Sequence, residues 1–550
     1  MQRARVMSST MPSLPRTGRG KARSPARSVA ALFMGIVGLS ACAHPPAAAP
    51  AAMAPASPIA WSELGADAFA RARAQQRLVL VDGSAEWCHW CHVMDATTYR
   101  DPEVLRVVGA NFVPVRVDID EKPDFEERYR EWGWPATVVL TGDGTEVGRY
   151  KGYQAPAKFL AILQSALAAR GTAASEPHTS STAAHLSEAE IAAVAASTSQ
   201  TLDGLWDADQ GGWGGPQKLP LAWDNAWMLD RARRHDGPDA LERALFALDQ
   251  QRKIIDPVWG GLCQYSTDGD WVHPHFEKLI AMQAGAIDNY ATAYAVTHDA
   301  AWLATARKVR GFVDGFMTAP DGGFYATMDA DLNAHDPSRA VVSGHDYYAK
   351  DDAARRALGI PRIDEHEYPR ENGLVIAAYA TLGETSKDAG AIAAAERAAA
   401  RILAAHATER GGLTHVEGDR GPVLYLADAA AFGFGLVRLY EVTHAKGYLD
   451  DASRIAAFLL RELAAPGGGF FESTPDPSAV GVLAERRIPF ENDVMAARFL
   501  AHLARAVPTD AYRAAIAGAL SAVATHDAID DRGRMIGDLL LAFEETRDVR

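Results

Sequence analysis

Cysteine is scarce in this sequence, with four residues among 550. Folds that depend on disulfide staples use cysteine densely, so a scaffold of that class is excluded. Two of the four, Cys88 and Cys91, are nonetheless separated by only two residues. A close pair in a chain with so few cysteines favours reactive chemistry over structural cross-linking.

Basic residues are fewer than acidic ones, with 55 Lys and Arg against 70 Asp and Glu, and long apolar runs are also rare. The formal net charge is −15, and the first 41 residues carry seven Lys or Arg and no acidic residue. Without that segment the remainder carries −22, which argues against nucleic acid and anionic lipid surfaces as partners. No stretch after residue 41 is long and apolar enough to span a bilayer.

The basic segment 1–41 has the pattern of a signal peptide, because it continues into an apolar stretch too short for an ordinary transmembrane helix. Its end, 39–42 (LSAC), resembles the lipobox of bacterial lipoproteins, which implies lipidation of Cys42. Ala43 implies, by the same resemblance, an anchor in the outer membrane that faces the periplasm. The alternative is a cleaved secretory signal in which Cys42 has no role. Residues 42–58, rich in Pro and Ala, are predicted to form a tether.

The stretch 87–92 (WCHWCH) directly follows the apolar run 78–81 (LVLV). This order predicts a strand that leads to the start of a helix, where the helix dipole and a neighbouring imidazole stabilise a thiolate. We therefore predict a redox dithiol, with Cys88 as the exposed nucleophile and Cys91 as the resolving cysteine. His89 should make the disulfide more oxidising, unless it is merely solvated. We expect no cofactor beyond this disulfide and no metal.

Two other chemistries use cysteines at this spacing. Cys-x-x-Cys-His is the attachment motif of c-type haem, with His92 as axial ligand. A zinc half-site would need two further ligands, and the sequence has no second Cys-x-x-Cys. The flanks favour the redox hypothesis, because a haem motif needs neither a preceding strand nor the proline loop some forty residues later.

Residues 59–170 have the order of strands and helices expected for a mixed sheet covered by helices. The segment 81–88 (VDGSAEWC) resembles the thioredoxin approach to its first cysteine, and 134–137 (WPAT) resembles the cis-proline loop that faces the dithiol. The resemblance implies that Asp82 is the buried acid that exchanges a proton with the second cysteine. It implies that Pro135 leaves backbone groups free to pair with a substrate chain. The alternative for Asp82 is a turn or helix cap.

Residues 171–185 are predicted to be a linker, and 186–550 a second, all-helical domain. There, Ala-rich helices alternate with five glycine pairs and a further turn near Gly533, which predicts a closed ring of six helical hairpins. The pairs are Gly211-Gly212, Gly260-Gly261, Gly322-Gly323, Gly411-Gly412 and Gly467-Gly468. This half resembles the (α/α)6 toroid shared by several glycosidases and sugar epimerases. The predicted fold is thus an α/β thioredoxin-like domain followed by an all-α toroid.

The order of the two halves resembles the family named for a spermatogenesis-associated thioredoxin-like protein. The matching segments are 88–94 (CHWCHVM), 211–214 (GGWG), 216–218 (PQK), 275–278 (HFEK), 322–325 (GGFY), 329–331 (DAD) and 372–374 (NGL). The chain departs from that family where Glu371 replaces a Trp, Cys263 replaces a His, and 489–493 reads PFEND. If the family's toroid has an active site, these departures imply that it is altered here.

Several toroid side chains are candidates to converge at the mouth of the ring. They are His273, His275, Glu277, Asp329, Asp331, Glu371 and Asp428. Paired carboxylates could act as acid and base on a sugar that stacks on Trp213, Trp259 and Trp271. The alternative is structural: the aspartates cap helices, Glu277 pairs with Lys278, and the tryptophans belong to the core.

Three hypotheses of function follow. The first is an exported thiol–disulfide oxidoreductase that acts on a protein thiol or disulfide partner, with a toroid that binds the partner or a glycan. The second is a carbohydrate-active enzyme, a hydrolase or epimerase, that works in the toroid. The third is a binding protein without catalytic activity.

Overall fold

The computed structural model describes residues 59–171, 186–237, 239–336, 338–419 and 421–550. These residues all belong to one compact unit, so the two predicted domains pack against each other. The predicted signal, the tether, Cys42 and nearly all of the linker lie outside the described residues.

The first domain is a four-stranded sheet flanked by helices. In chain order its elements are α1 (Ala66–Ala74), β1 (Leu78–Ser84), α2 (His89–Ala96), α3 (Pro102–Asn111), β2 (Phe112–Asp118), α4 (Pro123–Tyr129), β3 (Ala136–Leu140), β4 (Glu146–Lys151) and α5 (Pro156–Ala168). The strand order is β2-β1-β3-β4. Strand β1 runs parallel to β2 and antiparallel to β3, so the predicted mixed sheet is confirmed.

Strand β1 divides the core of this domain into two layers. All seven of its residues are buried. Since side chains alternate along a strand, Leu78 and Leu80 join the layer on one face, and Val79 and Val81 join the other. The second layer also contains Cys88 and Cys91, so the dithiol belongs to that face of the sheet.

The second domain is built almost entirely of helices. They are α6 (Glu188–Gly204), α7 (Ala222–Arg233), α8 (Ala240–Gln251), α9 (Ile280–Thr297), α10 (Ala300–Phe316), α11 (Gly344–Tyr348), α12 (Asp352–Leu358), α13 (Pro369–Ser386), α14 (Ala389–His406), α15 (Leu426–Thr443), α16 (Lys446–Phe458), α17 (Phe490–Ala506), α18 (Asp510–Val523), α19 (His526–Arg532) and α20 (Gly537–Glu545). Five two-residue strands lie in its loops: β5 (Tyr265–Ser266), β6 (Pro274–His275), β7 (Lys278–Leu279), β8 (Thr327–Met328) and β9 (Ile363–Asp364). None of the helices that the structure describes combines the length and hydropathy needed to cross a membrane.

The long helices form two concentric rings. Helices α7, α9, α13, α15, α17 and α20 each pack on the next, and α20 packs back on α7, which closes the inner ring. Helices α8, α10, α14, α16, α18 and α6 pack outside it. The predicted (α/α)6 toroid is therefore confirmed.

The glycine pairs lie where the chain turns from an outer helix towards the next inner one. Bridges such as that between Ile255 and Leu262 close these turns. Gly260 shows why glycine is needed, since its φ is +91° and a Cβ there would lie 2.5 Å from the Lys308 carbonyl oxygen. The connections gather at the N-terminal ends of the inner helices, which form the mouth of the toroid.

The thioredoxin-like domain lies over this mouth. The Val482 N–H donates to the Gly144 carbonyl at 3.0 Å. Arg130, just after α4, forms an ion pair with Glu491 at the start of α17. Backbone and side-chain contacts therefore join the two domains.

Candidate functional site

Cys88 and Cys91 form a disulfide at the start of α2. Cys88 is the N-cap residue, and its sulfur accepts the backbone N–H of Cys91 at 3.1 Å. The helix begins at His89, so Cys91 lies within its first turn. The unpaired N–H groups and the dipole of this helix end stabilise a thiolate at Cys88 in the reduced protein.

The peptide bond between Trp134 and Pro135 is cis, as the resemblance implied. It immediately precedes β3, and in the sheet register Ala136 of β3 is opposite Gly83 of β1. Pro135 therefore lies at the edge of the sheet where β1 ends and the chain turns towards Cys88.

Asp82 lies within β1 and is buried, so it is neither a turn residue nor a helix cap. Burial raises the pKa of its carboxyl group, although the charge of Arg116 opposes this. Tyr99 donates to one carboxylate oxygen at 2.9 Å and Arg116 to the other at 3.0 Å. Arg116 also pairs with Asp95 of α2, which ties the buried acid to the dithiol helix.

The expectation that Cys88 is exposed is wrong: 4% of its surface is accessible, and 5% of that of Cys91. Both cysteines belong to a buried core layer of the first domain, and the second domain adds to this burial because Leu279 packs against the same layer. Trp90, between the cysteines, remains 39% exposed and forms a rim beside the disulfide.

His89 is not simply solvated, because its Nδ1 lies 2.6 Å from Asp331 Oδ2 of the toroid. Burial disfavours the imidazolium, but the hydrogen bond and charge of Asp331 outweigh burial and raise the pKa of His89. Burial likewise opposes ionisation of Asp331, yet its histidine partners lower the pKa of that carboxyl group. A toroid residue thus favours a positive charge beside the dithiol.

A second histidine contact lies next to Cys91. His92 Nε2 is 2.9 Å from the Glu86 carbonyl oxygen and 3.8 Å from Asp329 of the toroid. His335 Nε2 reaches the same carbonyl at 2.8 Å and Asp329 at 3.1 Å. The ligand atoms of His92, Asp329 and His335 all lie within 4.8 Å of one another, so the three side chains could hold a metal ion.

A third contact lies at Asp120, just after β2. Trp87 donates to its carboxylate at 2.6 Å, and His415 Nε2 of the toroid lies 2.6 Å from its backbone carbonyl oxygen. His415 Nδ1 is 3.0 Å from Asp428. Burial disfavours its imidazolium, but the charge and hydrogen bond of Asp428 raise the pKa of His415 to about 9.

The structure brings the first domain and part of the predicted toroid set into one site. Asp329, Asp331 and Asp428 each contact or approach a histidine of this interface. The His275 ring stacks on Tyr265 and lies 6.2 Å from the His89 ring. No pattern in the sequence singled out His335 or His415, because each is contributed by a loop with no recognisable spacing.

Two predicted glutamates keep a buried carboxylate oxygen without a hydrogen-bond partner in the described structure: Glu277 and Glu371. Glu371 uses its other oxygen to bind Arg370. Lys278 does not form the ion pair with Glu277 that the structural alternative predicted. Its ammonium group lies 3.2 Å from the sulfur of Cys263 instead.

The predicted tryptophans and His273 have other surroundings. Trp213, Trp259 and Trp271 are buried in the hydrophobic core of the toroid, so the prediction that they stack on a sugar is wrong. His273 is half exposed and lies 3.0 Å from Asp270 on its own loop. The capping alternative holds for Asp331 in part, because its carboxylate also accepts the N–H of the first residue of α11.

The interior of the ring holds a separate cavity of about 1060 Å³. Its lining includes the charged side chains Asp224, Asp288, Arg370, Arg498 and Glu545. It is large enough for a ligand of the size of a disaccharide by the usual range of ligand pockets.

Comparison with known proteins bears on both halves of the chain. Residues 51–164 match the sequence model of a family described as thioredoxin DsbH, protein of unknown function, DUF255. Human spermatogenesis-associated protein 20 is 28% identical over an alignment of 308 residues, which covers 50% of this chain and 39% of the human protein. The thiol:disulfide interchange protein DsbD of Ralstonia nicotianae is 33% identical over 118 residues, 20% of this chain and 19% of DsbD.

A solved structure of a D-mannose isomerase covers 68% of this chain and 100% of its own, with a TM-score of 0.49 and 11% identity. The chain aligns with about two fifths of the human relative's length. The resemblance inferred from the sequence motifs is confirmed: the chain has a thioredoxin-like N-terminal domain that matches the DsbH/DUF255 family model, and it is similar to spermatogenesis-associated protein 20.

Proposed function

We propose that this chain is an exported thiol–disulfide oxidoreductase that works with the Cys88–Cys91 pair at the mouth of its own toroid. The observation that carries the proposal is the disulfide at the N-terminus of α2, at the sheet edge where cis-Pro135 lies. The similarity to a thiol:disulfide interchange protein supports it.

The proposed reaction begins with the reduced pair. The Cys88 thiolate attacks a substrate disulfide, forms a mixed disulfide and releases one substrate thiolate, which takes up a proton. Cys91, deprotonated by Asp82, then attacks the Cys88 sulfur and releases the second substrate thiol. The substrate gains two electrons and the Cys88–Cys91 disulfide forms. The reverse sequence oxidises a dithiol partner.

The burial of the dithiol limits which substrates can reach Cys88. Because both cysteines are nearly inaccessible, a folded protein cannot place its disulfide against Cys88 unless the domains separate. A small or extended disulfide could approach along the rim at Trp90. In this proposal the toroid binds such a partner, or a glycan attached to it, and its aspartates adjust the charge at His89.

The test is disulfide reduction measured with two probes, insulin and oxidised glutathione, for wild type and for Cys88→Ser. We expect wild type to reduce oxidised glutathione faster than insulin, because the smaller disulfide can approach along the rim at Trp90. Both rates should fall to background in Cys88→Ser, because the nucleophile is gone. Cys91→Ser should accumulate a mixed disulfide on Cys88, which identifies the partner by mass spectrometry. Cys263→Ser is the matched control, since that thiol is free and buried in the toroid. Equal, background-level rates for wild type and Cys88→Ser would refute the proposal.

Export and lipidation at Cys42 are part of the same proposal. Labelled palmitate should enter the wild-type chain in a bacterial host and should be absent from Cys42→Ala. Labelling that persists in Cys42→Ala would refute the anchor, and a periplasmic, unlabelled wild type would favour a simple secretory signal.

The cavity inside the toroid favours a second candidate function, a sugar-binding or sugar-converting site. Asp288 lines it, and burial raises the pKa of its carboxyl group, which suits a general acid. A screen of mono- and disaccharides by calorimetry should then give binding that Asp288→Asn weakens. A blank screen with wild type would remove this candidate.

A further inference from the structure

We propose that a divalent transition-metal ion of the zinc class binds between the two domains, at His92, Asp329, His335 and the backbone carbonyl of Glu86. Each domain contributes two donors. In the first domain, Glu86 lies just before α2 and His92 lies in the first turn of that helix. In the toroid, Asp329 and His335 belong to one loop. The inference does not depend on the proposed redox function.

The four donor atoms lie close together. His335 Nε2 lies 2.8 Å from the Glu86 oxygen and 3.1 Å from Asp329 Oδ2. His92 Nε2 lies 2.9 Å from the same carbonyl oxygen and 3.8 Å from Asp329 Oδ2. A tetrahedral zinc ion, with bonds of roughly 2.0–2.1 Å, separates its donors by about 3.3 Å. Changes of about half an ångström or less would bring these four separations to the tetrahedral value.

The outer contacts are those of a metal-binding histidine. His92 Nδ1 is buried and without a hydrogen-bond partner in the described structure, and Asp331 Oδ2 lies 3.7 Å from it. When Nε2 binds a metal, Nδ1 carries the proton and can donate it to this carboxylate, the arrangement that orients metal ligands in many proteins. The Asp331 N–H in turn donates to Asp329 Oδ1 at 2.9 Å, which fixes the ligating carboxylate.

The donor types decide the class of ion. Two imidazoles with one carboxylate suit zinc, and also nickel, copper or iron, whereas magnesium and calcium prefer shells made of oxygen alone. No thiolate takes part, so this site differs from a zinc site at Cys88 and Cys91. Because its ligands come from both domains, the bound ion would hold the toroid closed over the dithiol.

The experiment uses the untagged full chain with its disulfide oxidised, stripped with chelator and titrated with Zn²⁺ by calorimetry and elemental analysis. We expect one equivalent per chain in wild type and in the Cys88→Ser/Cys91→Ser variant. Affinity should fall at least about a hundredfold in His335→Gln and in Asp329→Asn. His345→Gln is the matched control, since that histidine lies close to His335 in the sequence and its side chain is 88% exposed.

Three results would overturn the proposal: no stoichiometric Zn²⁺ in wild type, wild-type affinity in His335→Gln, or loss of Zn²⁺ in the double cysteine variant. Circular dichroism establishes that each variant is folded. If Asp329→Asn is not folded, the affinity of His335→Gln for Zn²⁺ decides the test. The His335 side chain is 29% exposed, so its loss leaves the core intact. Substitution by Co²⁺ gives an independent readout, with tetrahedral absorption bands and no thiolate charge-transfer band expected.

Discussion

The thioredoxin-like domain and the toroid contribute different chemistry to the interface they share. The first supplies the reactive group, a disulfide at a helix N-terminus. The toroid supplies fixed charge: Asp331 beside His89, Asp329 beside His92, and Asp428 behind His415. Reactivity and its electrostatic control therefore lie on opposite sides of one interface, and changes on the two sides should have separable effects.

The largest effect on stability is expected at a buried ion pair of the toroid. Arg355 and Asp256 form a fully buried, bidentate ion pair at 2.6 and 3.0 Å. Arg355→Ala leaves the buried carboxylate without its partner, which costs about 3–5 kcal/mol. The neighbouring Arg356→Ala is the control, because its ion pair with Asp352 is exposed and contributes little. Chemical denaturation measures both; equal losses would contradict the expected difference.

A smaller effect, dependent on pH, is expected at His415. Its pKa is raised to about 9 in the folded chain, above the ordinary 6.5, so its stabilising contribution is complete below pH 6.5 and is lost as the pH rises through 9. His415→Gln should remove its own share of the pH dependence, on the order of 1–3 kcal/mol between pH 6 and 9.5, and leave the share of His92, whose pKa is also raised to about 9.

Denaturation of wild type and His415→Gln across that range provides the measurement. His526→Gln, whose side chain is 91% exposed, is the control and should keep the wild-type profile. A wild-type stability that stays level from pH 6 to 9.5 would contradict the assignment of a charged His415.

The two regions also differ in how far they could be predicted from sequence. Strand β1 and helix α2 were predicted because their residues are contiguous and their apolar pattern is strong. The ring was predicted because its glycine turns recur. The short helix α4 was not predicted, because its residues are mostly polar or charged.

The burial of Cys88 could not be predicted, since Leu279, which packs on its core layer, is nearly two hundred residues away in the chain. The roles of His335 and His415 could not be predicted either, because isolated residues of long loops have no periodicity. Local patterns indicate which groups can react, whereas only the packing of the two domains shows what surrounds them.

The interface itself can be weakened without touching the dithiol. Arg130 pairs with Glu126 of its own domain and with Glu491 of the toroid. Arg130→Gln should open the interface more often and raise the rate at which a maleimide labels reduced Cys88 by about tenfold, equivalent to about 1.4 kcal/mol. Arg106→Gln, which removes an exposed pair with Glu103, is the control. Unchanged labelling in Arg130→Gln would show that the dithiol is reached by another route.

The smallest effect is expected at His89, where the toroid adjusts the dithiol through charge. Burial opposes protonation of His89, but Asp331 raises its pKa, so the imidazolium stabilises the Cys88 thiolate and hence the reduced state. His89→Ala removes this cation and leaves the Asp331 carboxylate unpaired near the thiolate, and both changes disfavour the reduced form. The reduction potential should therefore become more negative by about 30 mV, which corresponds to about 1.4 kcal/mol for two electrons. Equilibration with glutathione buffers measures the shift, with Trp90→Phe as the control that preserves the charge. An unchanged or less negative potential in His89→Ala would contradict the assignment of a thiolate-stabilising imidazolium to His89.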